Sequence, residues 1–218
     1  MAWGPGSWAL IVPVKRLELA KTRLGPPYDT IRAQLALAFA LDTTAAALVT
    51  SGVREVVAVT DDSAAAVLLR ELGAYVVPDA PDAGLNPALV HGVRVAATRH
   101  PDCGFGALSG DLPSLDPLEL ARALSRAAKH ETSFVRDAEG SGTTLVLAAP
   151  GSTLQPEFGA GSAERHTSAG HVEIGGPDLR TVRQDVDTAA DLLAAVQLGI
   201  GPRSAQVLNR LGIDHELG

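Results

Sequence analysis

Four strand-then-helix units follow one another along the first 130 residues, and that repetition decides the fold class. Trp8 to Val14 is a short, almost wholly apolar run, the pattern of a strand buried on both faces. Residues 29–50 carry apolar side chains at helical spacing and stop at Ser51-Gly52. The second unit pairs EVVAVT, residues 55–60, with SAAAVLLRELGA, residues 63–74. The third pairs YVVPD, residues 75–79, with NPALVHGVRVAATRH, residues 86–100. The fourth pairs GFGALSGD, residues 104–111, with DPLELARALSRAAKH, residues 116–130, where Asp116 reads as N-cap and Pro117 as N1. A strand and its parallel neighbour need a crossover of this length, so the chain predicts a mostly parallel sheet covered by helices on both faces.

Downstream, TSFVRD (132–137) and TTLVLAAP (143–150) predict two strands, as a hairpin or flanking another strand. A short helix is expected from Ser162, weak strands near 171–174 and 180–184, and two closing helices in 187–199 and 201–212. No repeat or linker divides the chain.

In such sheets ligands bind outside the carboxyl ends of the strands. That selects Lys15–Gly25, Thr60–Asp62, Pro78–Asn86, Ser109–Pro113 and Asp185–Asp187, where polar and turn residues concentrate. The first of these is the unusual one. Lys15, Arg16, Lys21 and Arg23 fall within nine residues of a chain with only 18 Lys and Arg and a net charge of −7. Such a density calls for an anion, and a nucleoside triphosphate brings about as many negative charges. The loop has neither the G-x-x-x-x-G-K-[ST] of a P-loop nor a G-x-G-x-x-G. It occupies the place of the first loop in nucleotidyltransferases with a glycosyltransferase-A-like fold, but has no glycine between Val14 and Arg23, so side chains must replace backbone amides in holding phosphate.

Asp111 lies just past the fourth strand, and Asp185 and Asp187 are two residues apart, so in an extended segment both carboxylates face one way. Converging carboxylates need a cation or a raised pKa, and magnesium prefers such hard oxygen ligands. The plain alternative is that Asp187 or Thr188 caps the following helix. Gly159-Ala160-Gly161-Ser162 opens a helix and offers backbone N–H groups to an anion, or places Ser162 as a simple N-cap. Arg165 and His166 follow one turn later. Asn86 is expected either to read a base edge or to cap a helix.

The segments PVKRLELAKTRL, GLNPAL, SGDLPSL, FGAGSAERH and DVDTAADL, in that order, resemble the phosphoenolpyruvate / 2-phospho-L-lactate guanylyltransferase family of coenzyme F(420) biosynthesis. The resemblance covers about residues 8–202. It implies the nucleotide-diphospho-sugar transferase fold, in one domain spanning 1–218 with a helical tail from 203. It implies transfer of GMP from GTP to phosphoenolpyruvate or 2-phospho-L-lactate, with release of pyrophosphate, on the way to a deazaflavin. By position, Asp111, Asp185 and Asp187 would bind Mg2+. Lys15, Arg16, Lys21 and Arg23 would act on the triphosphate, with Thr60, Asp61, Leu85, Asn86, Ser109 and Gly110 completing the GTP site. Thr143, Gly159, Ser162, Arg165 and His166 would hold the acid.

The rival readings are another nucleotidyltransferase of this fold, acting on a sugar phosphate or molybdopterin, and a GTP-binding sensor without catalysis. A sugar pocket needs more aromatic lining than four Phe, two Tyr and two Trp supply. Three converging aspartates exceed what a sensor needs. Net acidity argues against nucleic acid as a partner. A single cysteine, Cys103, excludes an intramolecular disulfide and a thiolate cluster. No apolar run reaches about 18 residues, and no secretory pattern opens the chain, so the expected location is the cytoplasm with no membrane partner. Handover of product to the next enzyme of the pathway is the one protein contact expected.

Overall fold

The computed structural model of the chain describes residues 7–17, 21–80 and 82–210. Its seven-stranded sheet has the order β3-β2-β1-β4-β6-β5-β7. β1 (Trp8–Pro13) lies between β2 (Val53–Val59) and β4 (Gly104–Leu108), parallel to both, and β3 (Tyr75–Val77) extends β2 in parallel. β6 (Thr143–Ala148) is antiparallel to both β4 and β5 (Thr132–Arg136), and β7 (Val172–Glu173) closes the far edge parallel to β5. The expected hairpin is thus present, and its second strand is also inserted against β4. Only β6 runs against the rest.

Alternation along β1 assigns the two faces. Trp8, Leu10 and Val12 pack under α1 (Arg32–Val49), α2 (Ser63–Leu72) and α4 (Pro117–Ala127), while Ala9 and Ile11 pack under α3 (Leu85–Arg99). Asp116 caps α4 as expected, accepting hydrogen bonds from the backbone N–H groups of Leu118 and Glu119. α1 is the one helix among the described residues long and apolar enough to cross a membrane by composition, yet it is a core helix. Its Asp42 is buried and accepts hydrogen bonds from the backbone N–H and hydroxyl of Ser204, clamping α8 (Pro202–Asn209) to it. Residues 202–209 therefore belong to the core and do not form a separate tail. The rest of the expected closing helix, 211 and 212, lies outside the described residues.

One expectation near the site needs correction. Residues 180–184 are not a strand: Arg180–Arg183 is one helical turn, α6. The backbone N–H and the hydroxyl of its buried Thr181 both donate to the Glu119 carboxylate of α4, which anchors the turn on a helix. Cys103 is fully buried.

Candidate active site

The carboxyl ends of β1, β2 and β4 open into one cleft with two lobes, of about 320 and 290 Å³. Pro13, Val14, Lys15 and Leu85 line both. The larger lobe adds Lys21, Arg23, Ser109, Gly110, Asp111 and Asp187. The smaller adds Arg16 and the carboxylates of Asp61, Asp79 and Asp82. Residues from all five segments selected by the strand-end rule thus come together.

The walls are held tightly. Gly110 brings the end of β4 so near β1 that a methyl group on it would sit 2.7 Å from the Pro13 carbonyl oxygen, which is why glycine stands there. The buried hydroxyl of Thr43 in α1 accepts the Leu112 N–H at 3.0 Å and fixes the turn that carries Asp111. The Asp111 carbonyl in turn accepts the Val186 N–H at 3.1 Å and fastens the Asp185–Asp187 segment beside it. Thr188 is the N-cap of α7 (Ala189–Leu198), in a capping box with Asp191, so Asp187 is free of capping duty.

The basic loop does not stand as four open cations. Lys21 donates to Asp111 and, at 3.1 Å, to Asp187 Oδ1. Arg23 pairs with Asp187, and Arg16 lies 3.9 Å from Asp61. Lys15 makes no ion pair with any described residue. Residues 18–20 of this loop lie outside the described residues. The Lys21 side chain is only 10% exposed, against 69% for Arg23, so Lys21 is an internal countercharge while Arg23 faces solvent. Burial alone would lower the Lys21 pKa, but the charges of Asp111 and Asp187 outweigh it and hold the ammonium above its usual value. Asp187 is moved the other way: burial would raise it, and Lys21 and Arg23 bring it below the ordinary carboxylate range.

Asp185 forms no ion pair with any described residue. Burial first, then repulsion from Asp111, Asp137 and Asp187, push its carboxyl up to about 8. Asp111 and Asp187, bridged by the Lys21 ammonium, and the nearby Asp185 carboxyl, driven toward neutrality, are hard oxygen donors of the kind a divalent cation takes.

Thr143, Gly159 and Ser162, expected to hold the acid, line neither lobe, although Phe158 beside Gly159 lines the larger one. β6 pairs with β4 so that Ser109 N–H reaches the Thr144 carbonyl at 2.8 Å, which puts Thr143 beside the Ser109–Gly110 step. α5 (Ser162–Ser168) docks its first turn there through Ala163 N–H to the Ser141 carbonyl at 3.2 Å. Gly159 and Gly161, at φ 121° and 69°, make the left-handed bends that lead into α5. Ser162 does not cap: its hydroxyl is buried, 1% exposed, and has no protein partner. Phe158 from the same loop reaches the cleft wall.

Four expected contacts take other roles. Asn86 neither caps α3 nor faces a base, because its amide donates to the Phe158 carbonyl and accepts the Phe158 N–H, at 3.1 and 2.9 Å. Thr60 is buried and accepts the Asp62 N–H, lining neither lobe. Arg165 bonds the carbonyls of Ala160 and Glu157, bracing the loop it was expected to arm. His166 is 0% exposed and bonded through both ring nitrogens, with burial, then His171 and Arg165, lowering its pKa to about 4, so it is a neutral ring and no anion-binding cation.

Asp79, Asp82 and Asp137 were not singled out in the sequence, although Asp79 and Asp82 lie in the selected segment 78–86. Asp137 accepts the N–H groups of Gly140, Ser141 and Gly142, shaping the turn that presents Ser141 to α5.

Residues 27–170 match the MobA-like NTP transferase domain family. The phosphoenolpyruvate guanylyltransferase of Thermomonospora curvata is 51% identical over 205 residues, covering 94% of this chain and 90% of that protein. That of Streptomyces avermitilis is 50% identical, covering 94% and 95%. Among solved structures, a candidate nucleotide-diphospho-sugar transferase from Desulfovibrio desulfuricans G20 superposes with a TM-score of 0.70 at 16% identity, over 96% of both chains. At that identity it supports the fold alone.

Proposed function

The chain belongs to the phosphoenolpyruvate guanylyltransferase family, built on a MobA-like NTP transferase domain, and from that membership we propose that it transfers GMP from GTP to phosphoenolpyruvate, releasing pyrophosphate, in coenzyme F(420) biosynthesis. The observation that carries this reading is the conjunction in one cleft of a basic strand-end loop with the carboxylates of Asp111 and Asp187, Asp185 lying close enough that both add to burial in pushing it toward neutrality.

The chemistry needs no covalent intermediate. An oxygen of the acid's phosphate attacks the α-phosphorus of GTP, the bond from that phosphorus to the β-phosphate oxygen breaks, and pyrophosphate leaves with the electron pair. The nucleophile is already ionised, so no side chain has to remove a proton. What the protein must supply is alignment and charge compensation for two anions. Lys15, Arg16, Lys21 and Arg23 neutralise the triphosphate. Asp61, Leu85, Ser109 and Gly110 shape the GTP site around them. Asp111, Asp185 and Asp187 would hold Mg2+, which when bound acts as a Lewis acid on phosphate oxygens. Thr143, Gly159 and Ser162 hold the acid, with Ser162 supplying a hydroxyl that the protein itself leaves unused.

No helix outside the packed core is long and apolar enough to cross a membrane among the described residues, and we place the enzyme in the cytoplasm, handing its product to the next enzyme of the pathway. An acceptor panel tests the assignment. Phosphoenolpyruvate, and to a lesser degree 2-phospho-L-lactate, should support pyrophosphate release from GTP, and a hexose 1-phosphate should not. Ser162→Ala should raise KM for the acid more than KM for GTP. A hexose 1-phosphate as the better acceptor, or ATP or CTP replacing GTP without loss, would overturn it.

A further inference from the structure

His166 lies behind the acceptor side of the cleft and touches neither lobe, yet its bonding settles which way a neighbouring hydroxyl faces. Its Nε2 is 3.1 Å from the backbone nitrogen of Glu157. An amide N–H can only donate, so Nε2 is the acceptor and carries no hydrogen. A neutral imidazole holds one proton, which must then be on Nδ1. Nδ1 is 3.0 Å from Thr143 Oγ1, so the ring donates and the hydroxyl accepts. A threonine hydroxyl has two lone pairs and one hydrogen. With His166 occupying a lone pair, the hydrogen of Thr143 is left to serve another acceptor. The ring is fully buried and packed between Phe134, Phe158 and His171, so it has little freedom to turn over.

We propose that His166 is a positioning residue for the acceptor: its Nδ1–H fixes the Thr143 hydroxyl as a hydrogen-bond donor, the polarity that an oxygen of a phosphate or carboxylate without a hydrogen requires. Through Nε2 the same ring holds the Glu157 end of the loop that leads to Gly159 and Ser162. One buried side chain thus couples the polarity of β6 to the placement of the α5 entrance. This rests on the reading that Thr143 and Ser162 hold the acid.

Two measurements on the whole protein test it. Long-range 1H–15N correlation spectra at pH 7 should show the His166 ring with its proton on Nδ1, the form less favoured for free imidazole side chains in water. Steady-state kinetics then use His166→Phe, which keeps a ring and removes both bonds, His166→Asn, which restores an N–H near the Nδ1 position, and Thr143→Val. His166→Phe should raise KM for phosphoenolpyruvate about tenfold with KM for GTP within about twofold, a split of about 1.4 kcal/mol on the acid alone. His166→Asn should recover part of that loss. In the Thr143→Val background His166→Phe should add less than twofold, because the ring acts through the hydroxyl. A proton on Nε2, a charged ring at pH 7, or full multiplication of the two effects would overturn the proposal. Should His166→Phe fail to fold, the tautomer of the wild-type ring and the His166→Asn kinetics decide it. If the wild-type protein releases no acid-dependent pyrophosphate, the acceptor reading itself has failed. If it does and the two effects multiply, only the role of His166 has.

Discussion

Removing the positive charge of Lys21 should make the protein bind divalent metal more tightly when no nucleotide is present. Lys21 stands where the aspartate cluster would take a cation, donating to Asp111 and to Asp187. It is held there with its backbone in the left-handed region, at φ 57°, which a non-glycine residue adopts at some cost. A metal entering between those carboxylates has to displace two charge-assisted hydrogen bonds, each contributing about 1.5–3 kcal/mol net. The freed side chain regains up to about 2 kcal/mol of rotamer entropy. The remaining penalty, about 1–4 kcal/mol, is absent in Lys21→Met, so its affinity for Mn2+ should rise about 5- to 900-fold. Calorimetric titration of Mn2+ into nucleotide-free wild type, Lys21→Met and Lys21→Met/Asp187→Asn reads this directly, the double variant losing the gain. GTP binding by Lys21→Met should weaken in the same instrument, since the lysine released by metal is then missing from the triphosphate. Unchanged or weaker Mn2+ binding by Lys21→Met would refute the idea that lysine and metal share one place.

The remaining expectations concern ligands, pH and the loop. Asp111→Asn, Asp185→Asn and Asp187→Asn should fold yet each lose at least ~10²-fold in turnover; near-normal rates in two of the three at saturating Mg2+ would remove the cluster from the chemistry. His166 is lowered to about 4 from an ordinary value near 6.5 in the unfolded chain, so its contribution to stability is complete above about pH 6.5 and is lost as pH falls toward 4. That contribution is at most about 3 kcal/mol, and urea unfolding at pH 7 and pH 4.5 should show a larger drop for wild type than for His166→Phe; equal drops would contradict the buried neutral ring. Asn86→Ala should cost about 1–2 kcal/mol in unfolding free energy through its two lost bonds to Phe158, while leaving the preference for GTP over ATP intact; a collapsed preference with unchanged stability would return Asn86 to the base.

The sheet and the cleft were legible because they depend on local signals. Apolar runs of strand length, helix stops and turn residues are read within a dozen positions, and the strand-end rule then located Asp111, Asp187 and the basic loop. What the sequence did not disclose is who pairs with whom. Lys21 reaches Asp187 across 166 positions, and Asn86 reaches Phe158 across 72. Lys21 was expected at the triphosphate and Asn86 at a base or as a cap, and here each bonds a protein group far along the chain, because a polar side chain bonds to whatever the fold brings near it. Arg180–Arg183 misled for a related reason: four residues suit a strand or a helical turn, and Glu119 on α4 made the choice. His166 was expected to help hold the acid, and its burial between Phe134 and Phe158 makes it a neutral ring.

The account stands most directly on one reaction mixture: protein, GTP and Mg2+, with and without phosphoenolpyruvate, followed by phosphorus NMR. It predicts one pyrophosphate released for each GTP consumed, strictly dependent on the acid, together with a new diester-type phosphorus pair joining GMP to the acid's phosphate. Pyrophosphate or GDP formed equally well without the acid, or GTP left intact in its presence, would contradict it.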